Sequence, residues 1–280
     1  MLSVKIFDRN RAGDLPSVVS RLEADGGIGV ELANYGGNGF GPLEARIAAL
    51  PARRKSVHLH HDRYSLLDLV GAAAAEAAEA AEALAREAAF YSRLGVGAGA
   101  VMHVARTAAV TRRVGAELVH DGAAPDVAAV AEAVAVAAEG AAALGPLFVE
   151  NTFEDIGWFE RLFARLGGLP GVGVCLDVGH AKIWGGAPLP EWLDFCASLA
   201  GAGRPVHSHV HCNRGRSDDH LPLVRGHEEG LFAPSPFHPG GLLPELVRLS
   251  AICGDEHFVL EIPIDDCLEN LDWSRAALGA

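Results

Sequence analysis

Short apolar runs alternate with longer segments of helical periodicity along the whole chain. The short runs predict eight β-strands, near residues 3–7, 28–33, 56–61, 99–104, 147–150, 172–177, 206–211 and 257–262. The longer segments predict eight helices, near residues 14–24, 42–50, 65–94, 123–143, 154–167, 188–200, 242–252 and 266–278. Eight repeats of strand and helix predict an α/β protein, a single (β/α)8 TIM barrel with right-handed crossovers. A doubly wound open sheet is the alternative, although no GxGxxG turn follows the first strand to support it.

Length and composition fit one barrel-sized domain. The 280 residues contain no Ser/Pro linker or charge run, which favours one domain over residues 1–280. Half of the residues are hydrophobic and 21% are charged, so the composition excludes intrinsic disorder. No apolar stretch approaches the roughly 18 residues of a membrane span, and no signal-peptide pattern opens the chain. We therefore expect a cytoplasmic protein without membrane contact, and we expect most of its five cysteines, which lack CxxC spacing, to be buried.

The excess of acidic residues in the chain affects the class of partner that it can bind. Lysine and arginine total 23 against 36 aspartates and glutamates, which gives a net charge of −13. Such a charge opposes binding through phosphate neutralisation, so a small-molecule substrate is expected in place of nucleic acid. No segment of the sequence indicates a subunit interface, and a homo-oligomer remains an open alternative.

Ionisable residues stand at the carboxyl ends of four predicted strands. These residues are Glu150, Asp177, His209 and Glu261. A carboxylate at the end of a buried apolar strand is costly to desolvate unless a cation meets it. The predicted strands contain no basic residue beyond Lys5, whereas a divalent metal bound by carboxylates and an imidazole would satisfy the whole set. Glu31 likewise ends the second strand, where a salt bridge and a substrate hydrogen bond both stay open.

Four motifs, in this order along the chain, resemble those of the xylose isomerase-like barrel superfamily. They are VEN at 149–151, LDVGH at 176–180, HVHCNRGRSDDHLPL at 209–223 and LE at 260–261. That superfamily contains sugar phosphate isomerases and epimerases together with the endonuclease IV type of AP endonuclease. The resemblance implies a divalent metal such as zinc, manganese or cobalt, held by Glu150, Asp177, His209 and Glu261. It also implies that Glu150 and Glu261 flank the reacting carbons as acid and base.

A second group of residues resembles the further zinc ligands of the endonuclease IV branch. The residues that resemble ligands of an additional zinc are His180, Asp218 and His220. The residues that resemble its remaining histidine ligands are His103 and either His60 or His61. The alternative is that these groups support the first metal or bind substrate without holding a further ion.

Three histidines share one face of the predicted strand 206–211. His207, His209 and His211 are spaced by two residues, so at least one is expected to bind metal if this face points inward. His209 matches the family histidine and His211 is the second candidate. A structural role is expected for His207, and also for His58 on the third strand.

Candidate substrate-binding residues lie close to these motifs. Arg214 and Arg216 lie in the glycine-bearing stretch 212–231, where a guanidinium could bind a phosphate or a carboxylate. Lys182 and Trp184 follow the LDVGH motif, at positions suited to contact a hydroxylated ligand. Arg106 follows the fourth strand closely enough to line the same mouth.

One position departs from the family pattern. Cys212 stands where relatives often have an acidic residue, and no lysine stands beside the metal histidine. This departure argues against any mechanism that needs that carboxylate or that lysine.

Two functions follow from these expectations. In the first, a metal chelates the carbonyl and hydroxyl oxygens of a sugar or sugar phosphate, and two glutamates transfer a proton, which makes the protein an isomerase or epimerase. In the second, clustered metals held by the histidine-rich set hydrolyse a small phosphodiester or nucleotide-like substrate. A non-catalytic barrel that binds a metabolite is a third alternative, and the four strand-end residues argue against it.

Overall fold

Eight parallel strands close into a barrel in the computed structural model, which describes residues 1–10, 14–71, 73–106, 111–114, 117–120, 124–254 and 258–279. The barrel strands are β1 (Leu2–Phe7), β2 (Ile28–Ala33), β3 (Lys55–His58), β4 (Ala100–His103), β7 (Leu147–Glu150), β8 (Val172–Asp177), β9 (Val206–Val210) and β10 (Phe258–Leu260). A separate antiparallel hairpin, which the sequence did not predict, consists of β5 (Thr111–Val114) and β6 (Glu117–His120). Each barrel strand pairs with the next in chain order, and β10 pairs with β1. The structure confirms the predicted (β/α)8 barrel and excludes the open sheet.

Helices connect the barrel strands. They are α1 (Leu15–Ala24), α2 (Glu44–Ala49), α3 (Ala74–Arg93), α4 (Val127–Gly140), α5 (Ile156–Arg165), α6 (Val178–Ile183), α7 (Leu189–Gly201), α8 (Leu223–Glu228), α9 (Leu242–Cys253) and α10 (Cys267–Leu278). The short helices α6 and α8 were not predicted, because each is too short to show a helical period. Each of the eight predicted helices corresponds to a helix at its expected place.

The predicted helix 65–94 was wrong at its start. A separate 3-10 turn, Leu67–Val70, precedes α3. The Asp68 carboxylate accepts hydrogen bonds from the backbone N and the hydroxyl of Ser65 at 2.7 and 2.6 Å, which closes this turn locally. Residues 72, 123 and 257, which fall in the predicted helices 65–94 and 123–143 and the predicted strand 257–262, lie outside the described residues.

Side-chain caps begin two of the outer helices. The Asp126 carboxylate accepts hydrogen bonds from two backbone N–H groups in the first turn of α4, and Asp155 accepts one from Trp158 N at 2.8 Å at the start of α5. Helix α5 then buries Trp158, Phe159, Leu162 and Phe163 on one face, so its helical period seats it on the barrel.

Alternate residues of each strand point into the barrel. Every residue of β8 is buried, and its outward side chains belong to the core that joins strands to helices. Inside the barrel, Val101, Phe148 and Cys175 form a small apolar cluster. Because side chains on one face of a strand recur every two residues, the next inward positions on these strands are polar. They are His103, Glu150 and Asp177, which form a polar layer above the apolar cluster.

Two further expectations concern the whole chain. All five cysteines are buried and none forms a disulfide, as expected for small hydrophobic side chains. Within the described ranges, no helix combines the length and the apolar character needed to cross a membrane.

Candidate metal centre

Four side chains from four neighbouring strands meet at the carboxyl end of the barrel. Glu150, Asp177, His209 and Glu261 bring one ligand atom each within 4.8 Å of one another, and all four are buried. His209 Nδ1 lies 2.9 Å from Glu261 Oε2 and 3.3 Å from Glu150 Oε1. The residues for which the family resemblance implied a shared metal therefore lie together, and we call them the central group.

Three histidines flank the central group on the side of β3 and β4. His58, His61 and His103, which we call the strand flank, also bring ligand atoms within 4.8 Å of one another. His58 Nε2 and His103 Nε2 lie 2.9 and 3.1 Å from Glu150 Oε2, so this flank shares Glu150 with the central group. His58 was expected to be structural, yet it contacts Glu150 directly. His61 stacks on His103, with ring centroids 4.5 Å apart.

The structure distinguishes between the two alternatives left open at His60 and His61. His60 Nε2 faces the backbone oxygen of Tyr35 at 2.9 Å and so points away from the central group. His61 instead joins the strand flank. The sequence analysis missed Tyr35, whose hydroxyl contacts His58 Nδ1 and lies 3.1 Å from His61 Nδ1. Its place in the glycine-rich loop that follows β2 was the available signal.

A second flank lies on the side of β8 and β9. It consists of His180, His211, Asp218 and His220, which we call the loop flank. Asp218 Oδ2 lies 2.8 Å from His220 Nε2 and 3.3 Å from His180 Nε2. His211 Nε2 lies 3.3 Å from Asp177 Oδ1 and 3.4 Å from Asp218 Oδ1, so it joins the central group to the flank.

Backbone pairing holds the loop flank in place. Cys212 and Leu221 exchange two backbone hydrogen bonds of 2.8 Å, which fold residues 213–220 into a closed loop. His220 adopts a left-handed backbone with φ of 46°, an uncommon conformation for a non-glycine residue. Gly179 is needed beside this loop, because a Cβ there would lie 2.1 Å from the ring of His211.

A buried lysine meets part of the negative charge of the site. Lys5 Nζ lies 2.7 Å from Glu261 Oε1 and 3.5 Å from Glu31 Oε1. Burial opposes the charged form of Glu31, but His209 and Lys5 outweigh it and hold the pKa of Glu31 well below its usual range. Lys5 therefore contacts two strand-end carboxylates, in addition to any metal that the central group would hold. A salt bridge and a substrate hydrogen bond were both open for Glu31, and the structure shows the salt bridge, which Glu31 forms with Lys5.

The other carboxylates of the site are also held in the charged form. Burial raises the pKa of Glu150 and of Glu261, but neighbouring groups outweigh it and both pKa values lie well below the usual range. The groups responsible are His103 and His209 beside Glu150, and Lys5 and His209 beside Glu261. Anionic carboxylates are the form that binds a metal ion.

Two histidines of each flank have shifted pKa values, and the shifts run in opposite directions. Burial, with the charge of Lys5, lowers the pKa of His58 to about 4, and burial with the charge of His103 lowers that of His61. In the loop flank, burial is outweighed by Asp177 and Asp218, which hold the pKa of His180 well above its usual value. The bond to Asp218 likewise overcomes burial and raises the pKa of His220 to about 9.

The donor atoms of the site fit divalent ions. Four buried atoms of the site lie 2.9 to 3.9 Å from a facing carboxylate or imidazole but, within the described residues, form no hydrogen bond: Asp177 Oδ2, His211 Nε2, Asp218 Oδ1 and Glu261 Oε2. Buried polar atoms are normally bonded, and an ion among carboxylates and imidazoles would satisfy all four. Cys175, His207 and His209 also lie close enough together to hold an ion. Nε2 atoms of both histidines already face Glu31, at 2.8 and 2.9 Å, in agreement with the structural role expected for His207.

A cavity of about 390 Å³ opens above the site. The site residues that line it are His58, His61, His103, Glu150, His180, Asp218, His220 and Glu261. Its other lining residues are Phe7, Arg9, Asn10, Tyr35, Thr152, Phe153, Trp184, Ile262, Pro263 and Ile264. Trp184 lies where the sequence placed it, with its ring 4.7 Å from Phe153 and 5.3 Å from His180.

Two arginines that the sequence assigned to substrate binding lie elsewhere. Arg106 pairs with Asp68 at 3.1 Å in a separate surface groove, and Arg214 pairs with Glu229 at 2.8 Å on the outer surface. Neither guanidinium lines the cavity, because each pairs with a carboxylate outside it, and a role in substrate binding stays a prediction.

The remaining basic candidates also lie outside the cavity lining. Lys182 Nζ donates a hydrogen bond to the backbone oxygen of Asn213 at 2.7 Å, which turns it toward its own loop, and Arg216 is exposed. Arg9, which the sequence analysis missed, lines the cavity instead, with its guanidinium over the ring of Phe7 at 5.2 Å. Its position just after β1 was the signal that could have found it.

Comparisons with known proteins agree with this architecture. A protein from Thermus thermophilus, soaked with ZnCl2, is 22% identical, with 99% of this chain and 98% of that chain covered and a TM-score of 0.64. A xylose isomerase domain protein from Planctomyces limnophilus is 13% identical, with 100% and 98% covered and a TM-score of 0.56. A D-psicose 3-epimerase from Clostridium cellulolyticum H10 is 14% identical, with 99% of each chain covered and a TM-score of 0.55.

At these identities the solved structures establish the fold alone. No curated protein matches the sequence. The family model described as xylose isomerase-like TIM barrel matches residues 24–234, most of the chain. The chain therefore belongs to the xylose isomerase-like TIM barrel family.

Proposed function

We propose that this protein is a hydrolase of small phosphate esters that holds more than one divalent ion. The observation that carries the proposal is the position of Glu150. Its Oε2 lies within 3.1 Å of His58 and His103, while its Oε1 lies 3.3 Å from His209 and 3.5 Å from His180. A carboxylate with imidazoles facing both oxygens is suited to bridge two ions, and an epimerase that chelates one hydroxy-carbonyl group has no need of a second ion.

Three donor sets would hold the ions. The central set is Glu150, Asp177, His209 and Glu261, and the strand-flank set is His58, His61 and His103, with Glu150 beside them. The loop-flank set is His180, Asp218 and His220, with His211 beside it. When bound, clustered ions supply an activated water and stabilise the charge that develops on the leaving oxygen. Zinc is supported by the imidazole-rich donors and by the relative that was soaked with ZnCl2.

The cavity walls select the substrate. The guanidinium of Arg9 would bind an anionic oxygen of the substrate, because Phe7 supports it at the cavity wall. The rings of Phe153 and Trp184 would pack against the organic part and exclude water. A cavity of about 390 Å³ suits a small molecule, and the net charge of −13 opposes nucleic acid as the substrate.

An isomerase or epimerase is the second candidate. Glu150 and Glu261 both belong to the central group and line the cavity, as a pair that removes and returns a proton would. Epimerases among the similar structures agree with it. We rank it second because Lys5 and neighbouring imidazoles hold the pKa of Glu150 and of Glu261 well below the usual range, which makes both carboxylates weak proton acceptors.

Metal content and turnover together test the choice between these functions. The chain is purified without chelator or histidine tag, and ions per chain are counted by mass spectrometry. We expect about two or three ions, with about one lost from an Asp218→Ala, His220→Ala variant. The matched control is Asp219→Ala, His227→Ala, which removes the same residue types from the same stretch of chain but outside the donor sets.

Turnover is measured on the same preparations. We expect hydrolysis of bis(p-nitrophenyl) phosphate or a cyclic nucleotide by the wild type and by the control variant, and little by the Asp218→Ala, His220→Ala variant. A single ion per chain that both variants retain, together with uptake of solvent deuterium into a ketose, would overturn the hydrolase and establish the epimerase.

A further inference from the structure

A network of buried charges lies below the central group and does not reach the cavity. Lys5 on β1, Glu31 on β2 and His207 on β9 are each no more than 1% exposed. His207 Nε2 lies 2.8 Å from Glu31 Oε2, and Lys5 Nζ lies 3.5 Å from Glu31 Oε1. Placing three such groups in a barrel interior costs desolvation energy, so the network calls for a role beyond packing.

The network contacts His209 on the side away from the central group. His209 Nε2 lies 2.9 Å from Glu31 Oε1, while its Nδ1 faces Glu150 and Glu261. An ionised carboxylate only accepts hydrogen bonds, so the nitrogen that faces Glu31 carries the hydrogen. Nδ1 faces the carboxylates of Glu150 and Glu261 in the same way, and a divalent ion among them would take the place of its hydrogen, so the neutral imidazole would present the lone pair of Nδ1 to that ion.

We propose that Glu31 is a positioning residue that fixes the tautomer and the ring orientation of His209, so that Nδ1 is available to the central ion. The inference rests on the central ion of the proposed function. A carboxylate behind a ligating histidine is an arrangement that typically changes metal affinity by 10- to 100-fold.

Lys5 extends the same network to a second member of the central group. Its ammonium donates a hydrogen bond to Glu261 Oε1 at 2.7 Å and also lies beside Glu31. One buried cation thereby holds both a proposed metal ligand and the carboxylate that orients another. His207 Nε2 and His209 Nε2 both face Glu31 Oε2, at 2.8 and 3.2 Å, and Lys5 lies beside its Oε1, so this carboxylate has little freedom to turn away from His209.

A Glu31→Gln variant tests the inference with little change in shape. The amide of Gln can donate to Nε2 of His209, which favours hydrogen on Nδ1 and blocks the atom that would bind the ion. The Zn²⁺ affinity of the chain is measured by competition with a chromophoric chelator. We expect binding at one site to weaken by about 10- to 100-fold, while the remaining ions are bound as in the wild type. Glu87→Gln is the matched control, because it neutralises a buried carboxyl group that contacts Tyr64 and no member of the central group.

A second measurement uses the wild-type protein alone and decides the matter if Glu31→Gln does not fold. In the zinc-loaded chain labelled with ¹⁵N at the imidazoles, we expect His209 to keep hydrogen on Nε2 and to show the shift of a metal-bound nitrogen at Nδ1. Hydrogen on Nδ1, or unchanged Zn²⁺ affinity in Glu31→Gln, would overturn this inference and leave the proposed function standing. A wild-type chain that binds no Zn²⁺ would overturn the proposed function itself.

Discussion

Both flanks of the central group contain histidines, but different parts of the fold hold these histidines in place. His58 and His103 of the strand flank lie on barrel strands, so the pairing of β3 with β4 fixes their places. The loop flank takes Asp218 and His220 from a loop that the backbone pairing of Cys212 closes. The first flank therefore follows from the barrel itself, whereas the second depends on the local structure of one loop.

The two flanks also differ in the carboxylates that lie beside their histidines. The strand flank faces the buried carboxylate of Glu150, which it shares with the central group, and His61 also lies 3.6 Å from the exposed Asp62. The pKa values of His58 and His61 are lowered. The loop flank has a carboxylate of its own, Asp218, and the pKa of His220 is raised. We infer that an ion at the strand flank depends on Glu150, and that an ion at the loop flank can be held without it.

Among the variants that test the difference between the flanks, Glu150→Gln is expected to have the largest effect on metal content and turnover. The amide loses the negative charge that both the strand flank and the central group share, so we expect the ions of both to be lost and the loop-flank ion to remain. Hydrolysis should fall by about a thousandfold or more, since Glu150 belongs to the central donor set and lies beside the strand-flank set. Metal content and phosphodiester turnover measure the two effects.

The control for Glu150→Gln is Glu154→Gln. Glu154 is a buried carboxylate four residues later, which accepts hydrogen bonds from its own turn at Thr152 and lies outside the cavity lining. We expect this variant to keep every ion. Equal loss of ions from all three donor sets in Glu150→Gln would show that the flanks do not differ in their dependence on Glu150.

The parts of the molecule that lie on strands were predicted from the sequence better than the parts that lie in loops. The barrel and the central group were predictable, because period two along buried strands places Glu150 and Asp177 inward at strand ends. The family resemblance gave histidines of both flanks as candidates, although it could not choose between His60 and His61, and His58 was expected to be structural. That choice depends on where the chain turns after β3 ends at His58.

Residues in loops were predicted less well, since their contacts depend on tertiary partners. Arg214 was placed at the substrate because its loop follows the histidine strand, but Glu229 on the folded surface binds it first. Tyr35 and Arg9 reach the cavity from loops whose course has no periodic signal. Lys5 was noted as a basic strand residue, yet its contact with both Glu31 and Glu261 requires the barrel to close.

Replacing one histidine of the strand flank should have an intermediate effect. We expect His61→Ala to lose about one ion, because His61 supplies a donor atom beside His103 and lines the cavity. His60→Ala, which changes the adjacent residue, should keep the full metal content, since His60 faces the backbone of Tyr35. Metal content of the two variants measures the difference. Loss of an ion from His60→Ala alone would reverse the assignment.

The smallest expected effect concerns the carboxyl group behind the strand flank. Glu87 on α3 accepts a hydrogen bond from the Tyr64 hydroxyl at 2.7 Å and lies 3.4 Å from the backbone N of His60. Burial raises the pKa of Glu87 to about 7, against the lowering contribution of the bond to Tyr64. The carboxyl group of the other flank behaves oppositely, because His180 and His220 outweigh burial and hold the pKa of Asp218 well below its usual range.

Glu87→Gln should therefore change how stability depends on pH without changing the number of ions bound. Between the ordinary pKa of 4.5 and the folded-state value of about 7, the folded protein keeps a proton on Glu87 that the unfolded chain releases, so this group loses its stabilising contribution as pH rises. The variant should match the wild type near pH 4.5 and exceed its free energy of unfolding by up to about 3 kcal/mol above pH 7. Denaturant unfolding at both pH values measures this difference, and Glu79→Gln, an exposed position on the same helix, should show none. If the difference in free energy of unfolding between Glu87→Gln and the wild type is the same at both pH values, Glu87 is charged at both. The strand flank would then have a charged carboxylate behind it, as the loop flank has in Asp218.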